Sequence, residues 1–205
     1  MEATAIILAG GKSSRMGRNK ALLEIGGMSV IERIVTELSK VTNEIILVTN
    51  SPAEYQFLNL PMAEDEWKGM GPLAGIHAGL HFSKTEKNLV VACDMPFISP
   101  ALASFILGGL SDIYDAVVPE IAGKLHPLFA AYHKRILPVI SESLQNKQLR
   151  IRSIFEQIPV KIVNEGDFLH VQDMRNESSF YNMNEPHDFK RAQLIMQELK
   201  DLDRM

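Results

Sequence analysis

A three-layer α/β/α sandwich around a mostly parallel central sheet is the fold class predicted for these 205 residues. Three observations carry that prediction. Apolar runs rich in β-branched residues recur at 3–8, 44–49 and 88–92, as strands buried on both faces require. After each run comes a helical pattern opened by Ser or Pro, so strand, helix and strand alternate as in a Rossmann-like, right-handed crossover. Polar or glycine residues stand just behind each run, at Gly10, Asn50 and Asp94. In an open α/β sheet, ligands bind outside the carboxyl ends of the strands, which is where these residues fall.

Length and composition narrow the possibilities. The chain is short enough for a single domain over 1–205, and 46% hydrophobic residues are enough to bury a sizeable core. Lys and Arg number 21 against 25 acidic residues, so the electrostatic footprint of a nucleic-acid binder is missing. Cys93 is the single cysteine, which excludes an intrachain disulfide; neither end carries a signal-peptide pattern or a long apolar run. The expected compartment is the cytoplasm, with no membrane partner.

The first strand runs into Leu8-Ala9-Gly10-Gly11-Lys12-Ser13-Ser14-Arg15-Met16-Gly17-Arg18-Asn19-Lys20. Gly10 and Gly11 allow successive amide N–H groups to face one anion, and Arg15 and Lys20 add positive charge beside them. A phosphate-rich ligand suits such a cradle. Two common phosphate motifs are excluded: a P-loop needs glycine where the chain has Ile6, and the dinucleotide fingerprint G-x-G-x-x-G is absent.

The remaining elements follow in order. Leu22 to Ile25 is a short apolar stretch, and Ser29 caps a helix with Val30, Ile31, Ile34, Val35 and Leu38 on one face. Asn50, behind the second strand, faces either a nucleotide or simply the turn at Ser51-Pro52. The acids Glu64, Asp65 and Glu66 lead to Gly71-Pro72, where a helix starts whose Ala74, Gly75, Ala78 and Gly79 allow close approach of a backbone or a ligand. The third strand ends in Cys93-Asp94-Met95-Pro96-Phe97. Asp94 is the metal candidate, since Mg²⁺ needs only one or two protein carboxylates when phosphate oxygens and waters complete its shell. Cys93 reads as a small buried residue.

Ser99-Pro100 opens a helix that stops at Gly108-Gly109. Strands are expected at 115–119 and 126–132, with 120–125 as a polar loop over the site. A helix over 135–145, a short one at 149–152 carrying Arg150 and Arg152, and strands at 159–163 and 168–172 come next. The two arginines either reach a phosphate or are merely solvated. Asn184 and Pro186 start a terminal helix whose buried side holds Leu194, Ile195 and Leu199. His77 and His81 lie four apart on a helix, but Ala78 replaces the Glu of H-E-x-x-H, which argues against zinc.

Leu8-Ala9-Gly10-Gly11, Ser13, Arg15-Met16-Gly17 and Lys20 together resemble the signature loop of nucleotidyltransferases with the nucleoside-diphosphate-sugar transferase fold. The double glycine, Gly71-Pro72-Leu73-Ala74-Gly75-Ile76, Asp94-Met95-Pro96-Phe97, His126-Pro127-Leu128 and Asn182-Met183-Asn184 are most similar to the molybdenum cofactor guanylyltransferases. One departure stands out: that family usually has Asp before the lysine, and this chain has Asn19.

The resemblance implies GMP transfer from GTP to the terminal phosphate of a molybdopterin-type cofactor, with release of pyrophosphate. Its nucleotide site falls on Leu8, Ala9, Gly10, Gly11, Lys20, Asn50, Asp65, Gly71 and Asp94, with Glu64 a neighbour that a one-residue gap substitutes for Asp65. His126 and Asn182 face the acceptor. Arg15, Lys20 and Asp94 are the catalytic residues, with Mg²⁺ on Asp94, and proteins that deliver and accept the cofactor are transient partners. The rivals are a CTP-dependent cytidylyltransferase of the same pterin or of a sugar or polyol phosphate, and a nucleotide-binding regulator without turnover. No serine, cysteine or histidine nucleophile is needed, because the acceptor phosphate is itself the nucleophile.

Overall fold

The computed structural model describes residues 2–10, 19–168, 171 and 177–202. In chain order its elements are β1 (Thr4–Leu8), β2 (Glu24–Ile25), β3 (Met28–Ser29), α1 (Val30–Leu38), β4 (Glu44–Val48), β5 (Met62–Ala63) and α2 (Pro72–Phe82). There follow β6 (Lys87–Ala92), α3 (Pro100–Gly108), β7 (Ala116–Ile121), β8 (Lys124–Leu125), β9 (Phe129–His133), α4 (Leu137–Gln145), α5 (Ile151–Ile154), β10 (Val160–Asn164) and α6 (Pro186–Leu202). The main sheet has the order β10-β7-β9-β6-β1-β4-β5, with β8 hairpinned onto β7. Strands β6, β1, β4 and β5 run parallel, and β9 lies antiparallel between β6 and β7. This is the mostly parallel three-layer sandwich expected.

Strict alternation along β1 builds both core layers. Ala5 and Ile7 join the core under α1, α3 and α6, while Ile6 and Leu8 join the one under α2, α4 and α5. Helix α1 opens with a reciprocal capping box, in which Ser29 Oγ accepts from the Glu32 N–H and the Glu32 carboxylate accepts from the Ser29 N–H. Its Val30, Ile31, Ile34 and Leu38 are buried as the pattern requires.

The small residues of α2 serve the sheet. A Cβ on Gly75 would stand 3.3 Å from Leu8 Cδ2, and one on Gly79 only 2.3 Å from Ile6 Cγ2 and 3.2 Å from Val48. Ile6 is β-branched and its Cγ2 sits close to the strand, so it has little room to yield. Gly79→Ala is expected to destabilise the fold by about 1–3 kcal/mol as an overpacking change. A lowered denaturation midpoint with an unchanged slope would register that loss.

Several expected boundaries shift. Leu22, the start of the apolar stretch, closes a 3₁₀ turn over Lys20–Leu22, and 24–25 pairs with 28–29 as a small hairpin. Strand β7 starts at Ala116 and runs on to Ile121; with β8 it makes a hairpin turning at Ala122 and Gly123, so 120–125 is not the polar loop predicted. The strand expected at 126–132 begins at Phe129, leaving His126-Pro127-Leu128 outside it. The helix expected at 135 begins at Leu137, after a 3₁₀ turn at Lys134–Ile136. Leu149 lies outside α5, and Arg150 and Arg152 are both exposed.

Phe168 ends a 3₁₀ turn and is fully buried, so the strand predicted from it is absent over the described part of 168–172. On α6 the side toward the core holds buried Ala192 and Met196 with the predicted Ile195 and Leu199 half-buried beside them, whereas Leu194 is 56% exposed. Among the described residues no helix is long and apolar enough to cross a membrane.

Candidate active site

Because β1, β4, β5 and β6 are parallel, their carboxyl ends open at one edge, and hydrogen bonds continue the ladder beyond them. Ala9 N–H donates to Val48 O at 2.9 Å, Cys93 N–H to Leu8 O at 3.2 Å, and Thr49 N–H to Ala63 O at 2.9 Å. Gly10, Asn50, Asp65 and Asp94 therefore stand side by side behind the four strands. Leu8 turns its side chain into the core and gives its carbonyl to Cys93; Ala9 is also buried, whereas Gly10 is exposed and open. Gly11 and Arg15 lie outside the described residues.

On one flank, Asn50 Oδ1 accepts from the Asp65 N–H at 3.2 Å, and Asp65 Oδ1 accepts from the Trp67 N–H at 2.8 Å. Asp65 is nearly buried by this turn, while Glu64 is exposed. Gly71 caps α2 with φ 74° and ψ −165°, a conformation that an L side chain resists. Gly75 meets Leu8 and Gly79 meets Ile6, so α2 runs back along β1 and its amino end lies beyond the carboxyl edge.

On the other flank, the chain returns to the site from 177–184. Met183 N–H donates to the Asp94 carbonyl at 3.0 Å, which places Asn182 and Asn184 on either side of that contact. Lys20 Nζ donates to the Asn184 carbonyl at 2.7 Å. Burial raises the pKa of Asp94, and the nearby Lys20 ammonium opposes that rise. The ammonium thus acts on the carboxylate through space at the strand edge. Asn184 does not cap α6 with its side chain: the Asp188 carboxylate takes the N–H groups of Asn184 and Glu185, both at 2.7 Å.

His126 lies against the same edge. Its loop is held where Ala92 N–H donates to Leu128 O at 2.9 Å, and its ring packs 4.8 Å from the Phe180 ring. Burial, assisted by Lys124, lowers the His126 pKa, so the imidazole is neutral at pH 7. Cys93 is half-buried beside Asp94, and desolvation pushes its thiol up to about 12, which makes it inert as a nucleophile. His77 and His81 stack in parallel at 6.2 Å, and His77 Nε2 pairs with Ser141 Oγ. Among the described residues no group of three His, Cys, Asp or Glu is arranged to hold a metal.

Three contacts were not visible in the sequence. The lysine's partner is a backbone carbonyl 164 positions away, and Asn19 donates to Glu54 and Tyr55. Neither a side-chain pattern nor a local spacing signals them.

Residues 5–162 match the MobA-like NTP transferase domain. With the fold and the strand-edge site, that match defines the chain as a nucleotidyltransferase. A probable molybdenum cofactor guanylyltransferase of Carboxydothermus hydrogenoformans is 40% identical over 92% of this chain and 93% of its own length. Another, from Pelotomaculum thermopropionicum, is 39% identical over 95% and 94%. The crystal structure of molybdopterin-guanine dinucleotide biosynthesis protein A from Archaeoglobus fulgidus superposes with a TM-score of 0.79, at 25% identity, over 95% of this chain and 99% of that one. The chain belongs to the molybdenum cofactor guanylyltransferase family.

Proposed function

We propose that the chain, working as one nucleotidyltransferase unit, transfers GMP from GTP to the terminal phosphate of a molybdopterin-type cofactor. An acceptor phosphate oxygen attacks the α-phosphorus of GTP, the bond from that phosphorus to the α–β bridging oxygen breaks, and the electron pair leaves with pyrophosphate. The observation that carries this reading is the junction of Lys20, Asp94 and the 182–184 segment, joined by the Lys20 to Asn184 and Met183 to Asp94 bonds. It brings a cation and a carboxylate to the one edge where a triphosphate and a second phosphate would meet.

Each residue has a distinct task. Lys20, with Arg15 from the glycine-rich loop, stabilises the negative charge that builds on the phosphoryl oxygens. Gly10 and Gly11 leave space for main-chain amides to approach those oxygens. Asn50, Asp65 and the Gly71 turn bind the nucleoside end. Asp94 is a hard oxygen donor at a strand end, a fit for magnesium shared with triphosphate oxygens. A magnesium ion bound there would supply Lewis-acid polarisation of the α-phosphate and neutralise the leaving pyrophosphate.

His126 and Asn182 are assigned to the acceptor. Because the His126 imidazole is neutral at pH 7, it offers a hydrogen bond and a ring face, not a charge. His126→Ala is expected to raise the acceptor KM by about tenfold, the equivalent of one hydrogen bond of roughly 1.4 kcal/mol. The KM for GTP should stay unchanged, and the effect should be equal at pH 7 and pH 8. A rise confined to the GTP KM would move His126 to the nucleotide side.

The reading as a whole is tested by pyrophosphate release from GTP, CTP or ATP with a molybdopterin acceptor and Mg²⁺. Release with GTP alone is expected. Preference for CTP would overturn the donor assignment, and binding without release would make the chain a regulator.

A further inference from the structure

Lys20 is presented by the short 3₁₀ turn Lys20–Leu22, and the side chain just before it ties that turn to a distant one. Asn19 Oδ1 accepts from the Ala21 N–H at 3.1 Å, and its carbonyl accepts from the Leu22 N–H at 3.1 Å. Its Nδ2 then donates outward, to Glu54 Oε2 at 2.7 Å and to the Tyr55 hydroxyl at 2.8 Å. Glu54 and Tyr55 belong to a second 3₁₀ turn, Pro52–Leu58, which follows β4. Tyr55 is 2% exposed and forms part of the core beneath α1 and α3, so it is a fixed point. Burial pushes its hydroxyl up to about 12, so the oxygen stays neutral and able to accept.

Only a carboxamide meets these demands at this size. It offers one acceptor to the turn it caps and two donors to the turn it grips. Aspartate would keep the acceptor, lose both donors and set a second carboxylate against Glu54. Alanine would lose all three bonds. Ala21 is fully buried and Leu22 packs on the same core, so without the grip the turn keeps its place, but its leading end, from which the long, flexible Lys20 side chain departs, loses its tie.

We propose that Asn19 is a positioning residue for Lys20. By anchoring the 20–22 turn to the buried Tyr55 and to Glu54, it aims the ammonium at the Asn184 carbonyl, the Asp94 carboxylate and the phosphates of the nucleotide. This rests on Lys20 as a phosphate ligand, and it assigns Asn19 no contact with substrate. The rate comes from preorganisation, since a donor already in place needs no reorganisation when charge develops.

The test compares Asn19→Ala, Asn19→Asp, Asn19→Asp with Glu54→Gln, and Lys20→Ala in steady-state assays, each variant also followed by thermal unfolding. Asn19→Ala is expected to lower kcat by about 10- to 100-fold, the range for groups that orient a functional side chain, with a much smaller change in the KM for GTP. Asn19→Asp is expected to lose less, because Glu54 is exposed and can turn into solvent. Adding Glu54→Gln returns a donor to the new carboxylate and should restore much of the lost kcat. A purely structural role would lower the melting temperature without this rescue.

Wild-type kcat in a folded Asn19→Ala, beside an inactive Lys20→Ala, would overturn the positioning role alone. Should Asn19→Ala fail to fold, an Asn19→Asp loss that Glu54→Gln leaves unrelieved would overturn it equally. Wild-type kcat in Lys20→Ala would remove the reading of Lys20, and this proposal with it.

Discussion

Lys20→Ala is expected to fold and to lose about 100- to 1,000-fold in kcat, the cost of removing one preorganised donor from a developing oxyanion, roughly 3–4 kcal/mol. Its ammonium carries three N–H donors and gives one to the Asn184 carbonyl, which leaves two for phosphate oxygens. Lys20→Arg is expected to recover only part of the rate, because a planar guanidinium does not place a point charge where the ammonium stood. Lys20 also opposes the rise in the Asp94 pKa that burial causes. In Lys20→Ala the acid limb of the pH–rate profile should therefore move to higher pH. Pyrophosphate release measured across pH checks both statements; a folded variant within threefold of wild type would remove Lys20 from the chemistry.

The sheet was legible because burial on both faces leaves a plain mark. Ile6, Leu47 and Val90 belong to apolar runs with no alternation to confuse with a surface strand, and each lies in a parallel strand. Caps were legible for a similar reason: Ser29 and Ser99 each accept from the backbone three residues on, a rule local to the sequence. Where tertiary contacts decide, the reading failed. Residues 120–125 are polar enough for a loop, yet the turn at Ala122 and Gly123 lets them pair as a hairpin. Leu194 was expected with Ile195 and Leu199 but is exposed, since α6 rests on Ala192, Ile195, Met196 and Leu199.

The site divides in the same way. Gly10, Asn50 and Asp94 were identifiable because each stands just behind an apolar run, and parallel strands bring their carboxyl ends to one edge; Asp65 came only through the family resemblance, since β5 before it is a two-residue strand with no apolar run to announce it. Asn182 lies beside that edge through the Met183 bond to Asp94, a partnership between distant parts of the chain that no local spacing encodes. Ala74, Gly75, Ala78 and Gly79 allowed either a ligand or a backbone neighbour. Ile6 and Leu8 fill the space in front of Gly79 and Gly75, so there the sheet is the neighbour. Asn19, visible only as a departure from a family habit, is in the structure a three-bond tie between two turns.

Asp94→Asn is expected to separate activity from stability, by lowering kcat about 100- to 1,000-fold while stabilising the ligand-free fold at neutral pH. Folding raises the Asp94 pKa through burial, so the charged carboxylate weakens the native state. That weakening is absent below the ordinary value of 3.8, grows as pH climbs through the raised value and is complete above it. Asparagine is neutral throughout and keeps an oxygen in place. Its melting temperature should therefore exceed that of wild type at pH 7, and the two should converge near pH 4. Adding GTP with Mg²⁺ should reverse the order, because a ligand that binds through the charged carboxylate stabilises wild type in proportion to its occupancy and the variant far less. A variant less stable than wild type at every pH would show that the carboxylate serves the fold. One with wild-type turnover would show that the reaction does not need it. A carboxylate that weakens the free protein and strengthens the complex is retained for the ligand, and the crossing of the two melting series is the signature to seek.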